Sequence, residues 1–306
     1  MEFDVAILGG GSAGYAAASS AQSHGARVAI VDPGPLGGLC ILRGCMPTKT
    51  ILRSSDIISL MRRAKEFGLL PVEPVADLAA INARKNQLIE EFTDYRVEQL
   101  KDPRFTLIQE KAEFTSPNEV QVGTSKLKAK SFIIATGSVI ADYPILGLKE
   151  TGFVTSDDAL TMREAPESII VLGAGAVAVE LAQFFLRIGT KVTLLQRSGH
   201  ILSQGDEDLA RPVEDRLREE GMDLFTGTKI IKAAKENGRS VIYFEYEGKE
   251  KRVEAETILQ ALGRRPNIDG LNLPAAGVET NKGRVTVDSE MRTNQKNIFA
   301  VGDVNG

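Results

Sequence analysis

A strand–turn–helix–strand unit occurs twice in this sequence of 306 residues, and the repeat limits the possible fold more than any other feature. The first copy covers residues 5–32 and the second covers residues 169–196. Each copy opens with a short apolar strand, turns at a group of glycines into a helix, and ends with a second apolar strand. Two complete copies predict an α/β fold with two dinucleotide-binding units, because this turn brings a pyrophosphate to the start of the helix.

The glycine patterns of the two turns differ by one residue. The first turn reads G-x-G-x-x-G and the second reads G-x-G-x-x-A. Such glycines allow the tight turn, the approach of a pyrophosphate and close contact between helix and strand. Two ordinary strand–helix connections are the alternative, but the complete context and equal spacing of both copies favour nucleotide binding. The turn residues predicted to contact nucleotides are Gly9, Gly11, Ser12, Ala13 and Gly14 in the first copy, and Gly173, Gly175, Ala176 and Val177 in the second.

The two copies also differ at the end of their second strand. The first copy ends at Asp32, where an acid can accept a hydrogen bond from a ribose hydroxyl, as FAD and NAD require. The second copy has Gln196 at the same place, followed by Arg197. Since an arginine can pair with a 2′-phosphate, the second unit is predicted to prefer NADP over NAD. A solvated surface charge is the alternative interpretation of Arg197.

Both cysteines of the chain, Cys40 and Cys45, lie in one short glycine-rich segment just after the first nucleotide-binding unit. Pro47 is compatible with the first turn of a helix, and the dipole at a helix start favours a thiolate. Two neighbouring thiols beside a nucleotide site indicate electron transfer between a nucleotide cofactor and sulfur. Two small buried apolar residues are the alternative, which the flanking glycines and Pro47 disfavour.

Composition narrows the class of protein. A net charge of −4 and a pI near 5.5 argue against a nucleic-acid surface, and a hydrophobic content of 42% supports full cores in about two domains. The acidic N-terminus predicts no signal peptide, and no apolar run is long enough to span a bilayer. A cytoplasmic protein is therefore expected, without membrane or nucleic-acid partners, in which any disulfide is catalytic.

The remaining segments show helical and strand patterns of ordinary length. Helices are predicted over residues 46–67 and 75–101, strands over 105–123 and 126–135, and a charged hairpin over 240–253. Three further short motifs stand out: A-T-G at residues 135–137, A-L-G-R-R-P-N at residues 261–267, and F-A-x-G-D at residues 299–303.

Taken in order along the chain, these motifs resemble those of the flavin-dependent pyridine nucleotide–disulfide oxidoreductases. That family includes dihydrolipoamide dehydrogenase, glutathione reductase and mercuric reductase. The resemblance covers the whole chain and implies a discontinuous FAD domain over residues 1–145 and 264–306, which carries the redox disulfide. A Rossmann-like NAD(P)H domain over residues 146–263 would be inserted in it.

The resemblance also implies roles for single residues. Cys45 would be the sulfur nearest the flavin, Cys40 would attack the substrate, and Lys49 would lie near flavin N5 with Glu180 as its ion-pair partner. The residues implied for FAD are Gly9, Gly11, Ser12, Ala13, Gly14, Asp32, Gly38, Cys40, Lys49, Ala112, Thr136, Gly137, Ser138 and Asp303. Those implied for the nicotinamide nucleotide are Gly173, Gly175, Ala176, Val177, Glu180, Gln196, Arg197 and Gly263. No metal site is implied.

The implied reaction moves electrons between NAD(P)H, FAD and the Cys40–Cys45 disulfide, and on to a small or protein-bound disulfide or dithiol such as lipoamide. Two alternatives remain open: a flavoprotein reductase with another acceptor, such as mercuric ion, a quinone or oxygen, and a non-catalytic flavin-binding module.

The chain departs from the family pattern in two respects. Leu39, Ile41, Leu42 and Arg43 replace the residues usual around the first cysteine, which changes the polarity beside the disulfide. The family also continues into a C-terminal domain that mediates homodimerisation and carries a catalytic histidine. That domain is expected to be absent from this sequence, while the complete protein is expected to form a homodimer.

The presence of Arg197 leads to a prediction on cofactor choice. A charge-assisted contact with the 2′-phosphate should favour NADPH over NADH by about one to two orders of magnitude, and Arg197→Glu should erase or reverse that preference. The rates of flavin reduction by the two nucleotides provide the measurement. Equal rates in the wild-type chain would contradict the assignment.

Overall fold

The computed structural model describes every residue from Met1 to Gly306, and the chain forms two compact units. Unit 1 comprises residues 1–44, 89–140 and 264–306, and unit 2 comprises residues 45–88 and 141–263. The two cofactor domains expected from the sequence remain a prediction. Residues 45–88 group with unit 2 because the helix that begins at Cys45 packs against the helix that begins at Ala176.

The chain contains eight α-helices and eighteen strands. The helices are α1 (Ser12–Ser23), α2 (Leu39–Arg43), α3 (Cys45–Arg62), α4 (Leu78–Leu100), α5 (Leu148–Thr151), α6 (Ser156–Ala159), α7 (Ala176–Arg187) and α8 (Glu207–Glu219). The first nine strands are β1 (Glu2–Leu8), β2 (Val28–Val31), β3 (Phe105–Ile108), β4 (Ala112–Ser116), β5 (Glu119–Val122), β6 (Ser125–Ile134), β7 (Ser138–Ile140), β8 (Ser168–Leu172) and β9 (Lys191–Leu195). The others are β10 (Asp223–Phe225), β11 (Lys229–Glu236), β12 (Arg239–Tyr246), β13 (Lys249–Ala255), β14 (Thr257–Gln260), β15 (Arg264–Pro266), β16 (Thr280–Asn281), β17 (Arg284–Val285) and β18 (Ile298–Ala300). No helix combines the length and the apolar character needed to cross a bilayer.

Unit 1 is built on a seven-stranded sheet in the order β3-β2-β1-β6-β5-β4, with β18 also paired to β6. The strands β3, β2, β1, β6 and β18 run parallel, whereas β5 and β4 form an antiparallel arm. The last three residues of β1 and all four residues of β2 are buried, as expected for parallel strands covered on both faces. This order matches one half of a dinucleotide-binding fold.

Unit 2 repeats the arrangement with a parallel sheet in the order β10-β9-β8-β14. All five residues of β8 are buried, and α7 covers this sheet with Leu181, Ala182, Phe184 and Phe185. A separate antiparallel sheet of β11, β12 and β13 contains the hairpin that the sequence predicted. The α/β fold with two Rossmann-like units is therefore confirmed.

The two copies match in their backbone hydrogen bonds. The N–H of Gly9 donates to Val31 O at 2.8 Å, and the N–H of Gly173 donates to Leu195 O at 2.9 Å. Both glycines have positive φ, +108° and +96°. A Cβ atom on Gly173 would lie 2.6 Å from Ala261 O at the end of the adjoining parallel strand. A Cβ atom on Gly9 would likewise overlap the backbone carbonyl of Ala135, so both turns exclude any side chain at this position.

Two predicted elements are divided differently in the structure, and one short helix was not predicted. The helix predicted over residues 46–67 ends at Arg62, and a separate 3₁₀ turn follows at Ala64–Phe67. The strand predicted over residues 105–123 is divided into β3, β4 and β5, because the chain turns back on itself between antiparallel β4 and β5. Helix α2, which carries Cys40, gave no periodic signal because it has only five residues.

The close contact at Gly173 leads to a prediction on stability. Gly189 also has positive φ, +108°, but a Cβ atom there would meet nothing within 4 Å, so Gly189→Ala measures backbone strain alone. Gly173→Ala should lower the free energy of unfolding by about 1–3 kcal/mol more than Gly189→Ala, because it adds steric overlap with a backbone carbonyl. Urea denaturation followed by circular dichroism provides the measurement. Equal losses would contradict the contact.

Candidate nucleotide-binding and redox site

In unit 1, the start of α1 offers backbone N–H groups to an anionic ligand. Gly11 is the residue before α1, and no side chain accepts a hydrogen bond from the N–H groups of the first turn. The first N–H groups of a helix have no partner within the helix, and the helix dipole adds a partial positive charge there. This helix start therefore can bind a phosphate group.

Two other segments of unit 1 approach this helix start at glycines. A Cβ atom on Gly38 would lie 2.5 Å from Gly11 Cα, and one on Gly302 would lie 3.1 Å from Ala13 Cβ. Both glycines have positive φ, +78° in each case. Backbone from three parts of the chain thus forms a cradle that side chains would fill. This arrangement fits the pyrophosphate of FAD, as the resemblance implies for Gly11, Ala13 and Gly38.

The carboxylate of Asp32 lies beside the same turn. Its Oδ2 accepts a hydrogen bond from Gly10 N–H at 2.6 Å, and its Oδ1 accepts one from Gly34 N–H at 2.8 Å. Each carboxylate oxygen has a second lone pair available. Asp32 therefore has both the position and the acceptor capacity to bind a ribose hydroxyl.

The residues implied for the rest of FAD form a hydrogen-bonded group in unit 1. Ser138 Oγ donates to Asp303 Oδ2 at 2.8 Å and accepts from Arg264 Nε at 2.9 Å. Thr136 Oγ1 donates to Asn267 O at 2.6 Å. The A-T-G motif, the G-R-R-P-N motif and Asp303 are thereby brought together. Gly137 belongs to the same group, because its O atom accepts a hydrogen bond from Asn267 N–H at 2.9 Å. Ala112 lies in the antiparallel arm instead, where it pairs with Val122.

Cys40 lies in α2 of unit 1 and is half-buried, whereas Cys45 is exposed. Gly44 connects α2 to the next helix and lies close to the preceding backbone. A Cβ atom on Gly44 would lie 3.0 Å from Leu39 O and 3.2 Å from Cys40 Cα. A side chain at this position would therefore press against the backbone around the first cysteine.

In unit 2, Cys45 is the first residue of α3, and Pro47 lies in the first turn as the sequence predicted. Lys49 follows one turn later, on the same face of the helix as Cys45. Its Nζ is 2.5 Å from Glu180 Oε1 on α7, with side-chain exposures of 60% and 27%. The resemblance predicted this ion pair, and the structure contains it.

A second ion pair joins α3 and α7 two helical turns further along both helices. Arg187 Nη1 lies 2.5 Å from Asp56 Oδ1, and Arg187 Nη2 lies 2.9 Å from Glu220 Oε1. The side chains of Arg187 and Glu220 are only 12% and 10% exposed. Burial raises the pKa of Glu220, but hydrogen bonds from Arg187, Gln183 and Arg216 outweigh it, so that pKa lies below its ordinary value.

A cleft of about 840 Å³ opens at the start of α7 in unit 2. It is lined by six residues that the sequence predicted for the nicotinamide nucleotide: Gly173, Gly175, Ala176, Gln196, Arg197 and Gly263. Val177 and Glu180, also predicted, do not line the cleft. Gly175, the residue before α7, has no side-chain cap, so the helix start can bind a phosphate here as in unit 1.

The two residues after β9 have different surroundings. Gln196 is buried, and its O atom accepts from the N–H and Oγ1 of Thr228, both at 2.9 Å. Arg197 is exposed and lines the cleft with Lys229, while Asp206 is the one acidic residue of the lining. The guanidinium of Arg197, just after β9, can therefore bind a 2′-phosphate.

Sequence reasoning missed part of the cleft wall. Tyr143 belongs to none of the motifs found in the sequence, yet it lines the cleft, and a Cβ atom on Gly263 would lie 3.4 Å from its Oη. The loop of residues 202–206 also lines the cleft and carries no recognisable motif. The aromatic side chain of Tyr143, in a segment without helix or strand pattern, was the one available signal.

Comparison with known proteins defines the class. Residues 3–306 match the model of the pyridine nucleotide-disulphide oxidoreductase family. The chain therefore belongs to this family, whose members use FAD and NAD(P)H, and the predicted cofactors are confirmed at that level.

The chain is 37% identical to a mercuric reductase from Staphylococcus aureus over 99% of this chain and 56% of that protein. It is 32% identical to a dihydrolipoyl dehydrogenase from Bacillus subtilis (strain 168) over 99% of this chain and 67% of that protein. A solved structure, the HOCl-induced flavoprotein disulfide reductase RclA from Escherichia coli, superposes with a TM-score of 0.85 at 27% identity over 99% of this chain and 66% of that one. The chain thus spans little more than half the length of the mercuric reductase.

The buried pair of Arg187 and Glu220 leads to a prediction on pH dependence. The folded-state pKa of Glu220 lies below the ordinary value of 4.5. The ionised carboxylate therefore stabilises the fold fully above pH 4.5, and this stabilisation is lost as the pH falls through the lower, folded-state pKa. Glu220→Gln should lower the free energy of unfolding at pH 7 by about 3 kcal/mol, and this difference should shrink on acidification. Urea denaturation at several pH values measures it. The exposed neighbour provides the control, Glu219→Gln; a loss independent of pH in Glu220→Gln would contradict the prediction.

Proposed function

We propose that this chain carries the electron-transfer machinery of a flavin-dependent disulfide oxidoreductase, with Cys40 and Cys45 as its redox pair. The observation that carries the proposal is the position of Cys45 at the first residue of α3, with the Lys49–Glu180 ion pair one turn later. The start of α3 has a partial positive charge, and Lys49 adds a cation on the same face of the helix as Cys45. A structural cysteine would need neither.

The two cofactors would be held in different units. FAD is assigned to the glycine cradle, Asp32 and the Asp303 group of unit 1, and NAD(P)H to the cleft of unit 2. Within the cleft, the exposed Arg197 favours NADPH over NADH. FAD, when bound, supplies the chemistry that connects a two-electron hydride donor to a disulfide.

The cysteines perform the exchange with substrate. Cys40 attacks a substrate disulfide as a thiolate and forms a mixed disulfide, and Cys45 then displaces the substrate thiol and closes the Cys40–Cys45 disulfide. Lys49 places a positive charge on the face of α3 that carries Cys45, and Glu180 holds the Lys49 side chain towards α7. A disulfide or dithiol such as lipoamide is the substrate class that this chemistry and the dihydrolipoyl dehydrogenase relatives favour.

Mercuric ion is a second candidate acceptor. Relatives named mercuric reductase share 34–37% identity with this chain over 99% of its length. Thiolates bind soft metal ions well, so the same cysteine pair could deliver electrons to such an ion. The replaced residues Leu39, Ile41 and Leu42 beside Cys40 distinguish this chain from the usual pattern but do not favour either acceptor.

The proposed setting follows from the family and the cysteines. The complete protein is proposed to act as a homodimer in a reducing compartment such as the cytoplasm, where a dithiol is regenerated after each turnover. Analytical ultracentrifugation of the complete protein tests the homodimer.

Thiol counting tests the redox pair. The denatured air-oxidised chain should contain no free thiols, and two should appear after NADPH reduces the FAD-loaded chain or after treatment with dithiothreitol, because one disulfide yields two thiols. Cys40→Ser and Cys45→Ser should each contain one thiol under every condition. Two free thiols in the air-oxidised wild-type chain would contradict the proposal.

The acceptor is tested separately in the complete protein by following NADPH oxidation with lipoamide, glutathione disulfide, mercuric ion, a quinone and oxygen. Turnover of a disulfide or of mercuric ion should stop in Cys40→Ser. Reduction of a quinone or of oxygen should persist in that variant, because neither acceptor requires the cysteine. Failure of NADPH to reduce the bound flavin would instead indicate a non-catalytic module.

A further inference from the structure

The loop of residues 198–205 forms one wall of the unit 2 cleft. A buried carboxylate on α8 accepts a hydrogen bond from this loop on the side away from the cleft. We propose that Glu214, which does not line the cleft, is a positioning residue for nucleotide binding and acts through a hydrogen bond to Ile201 N–H. The inference rests on the proposed binding of NAD(P)H in this cleft. The residues assigned above contact the nucleotide, whereas Glu214 would shape the cleft without contacting it.

Glu214 occupies a core position of α8. Its side chain is 0% exposed, and the other buried positions on the same face of the helix are Ala210 and Leu217. A carboxylate in such a position is unfavourable unless hydrogen bonds satisfy its oxygens. An apolar residue would be the ordinary choice at this position. The reason for a glutamate must therefore lie in the groups that its carboxylate binds.

The two oxygens of Glu214 have separate partners. Oε1 accepts from the buried Ile201 N–H at 2.9 Å, while Oε2 accepts from Arg211 at 2.8 Å and from Arg218 at 3.3 Å. Burial raises the pKa of Glu214, but these donors outweigh burial and hold that pKa below its ordinary value. The arginines therefore keep Glu214 ionised, and its other oxygen is committed to the loop.

The next residue holds the loop on its opposite side. Leu202 has φ of +50°, a left-handed conformation that is unfavourable for leucine. Its N–H donates to Ala174 O at 2.8 Å, in the glycine turn before α7. Consecutive N–H groups thus bind α8 and the nucleotide-binding turn, and together they maintain a strained backbone. Without Glu214, the buried N–H of Ile201 would have no partner.

The residues that follow are the cleft wall itself, since Leu202, Ser203, Gln204 and Gly205 all line it. If the loop is ordered in only a fraction of molecules, the apparent affinity for a nucleotide falls in proportion to that fraction. This effect should be equal for NADPH and NADH, because it changes the wall and not the contact with the 2′-phosphate. Arg197 should affect NADPH alone.

The test measures dissociation constants of NADPH and NADH by fluorescence titration of the full chain, at a temperature where circular dichroism shows each variant folded. Glu214→Ala should weaken both nucleotides about tenfold. Glu214→Gln should restore binding to within about threefold of wild type, because its amide oxygen still accepts from Ile201 N–H. The matched control is Glu207→Ala, which removes another partner of Arg211 on the exposed face of α8 and should leave both constants unchanged.

Unchanged affinities in Glu214→Ala, even with a lower melting temperature, would show a purely structural role and overturn the inference. If Glu214→Ala does not fold, Glu214→Asp replaces it, since the shorter side chain keeps the charge but withdraws from Ile201; wild-type affinities in that variant would equally overturn the inference. Arg197→Gln should weaken NADPH only. A wild-type chain that binds neither nucleotide would refute the proposed function, and the inference with it.

Discussion

Both halves of the nucleotide-binding machinery depend on one steric constraint, the contact between the first glycine of each turn and a carbonyl oxygen on the adjoining parallel strand. At Gly173 that carbonyl belongs to Ala261, and at Gly9 it belongs to Ala135. Because no side chain intervenes, the chain can leave one strand and enter a helix directly above the end of the next strand. The unpaired N–H groups of α1 and α7 are thereby placed at the edges of their sheets, where a pyrophosphate can reach them.

The pairing of α3 with α7 has an electrostatic pattern of its own. Lys49 on α3 pairs with Glu180 on α7, and two turns later Asp56 on α3 pairs with Arg187 on α7. The basic residue is thus on α3 in the first pair and on α7 in the second. A rotation or slip of one helix would separate both pairs or bring like charges together. The pairs thus determine the register in which α3 presents Cys45 at its first residue. Removing one partner of the buried Arg187–Glu220 pair should destabilise the fold more than removing one partner of the exposed Lys49–Glu180 pair, because it leaves a buried charge without a partner.

The cleft of unit 2 separates two tasks that one residue could not combine. Arg197 is exposed, so its charge is available to a ligand. Glu214 is buried, and its charge is paired with arginines of the same helix. A carboxylate facing the cleft would repel phosphate, but one behind the wall, neutralised by Arg211 and Arg218, does not. Glu214 can therefore hold the loop without adding a second acidic side chain to Asp206 in the lining of the cleft.

The sequence by itself determined the parts of this protein that depend on near neighbours. Both turns, their helices and strands, and the helix start at Cys45 follow from glycine, proline and apolar spacing within about thirty residues, and the structure agrees with them. Only the tertiary structure decided which distant residues meet. Glu214 has the local pattern of a solvated helical glutamate, Arg187 that of a surface arginine and Tyr143 that of a linker residue, yet two are buried in ion pairs and one lines the cleft. The ion-pair partners of Glu214 lie on its own helix, but its burial depends on how α8 packs. The partners of Arg187 and the cleft wall beside Tyr143 come from elements far apart in the chain, and no local pattern specifies how those elements pack.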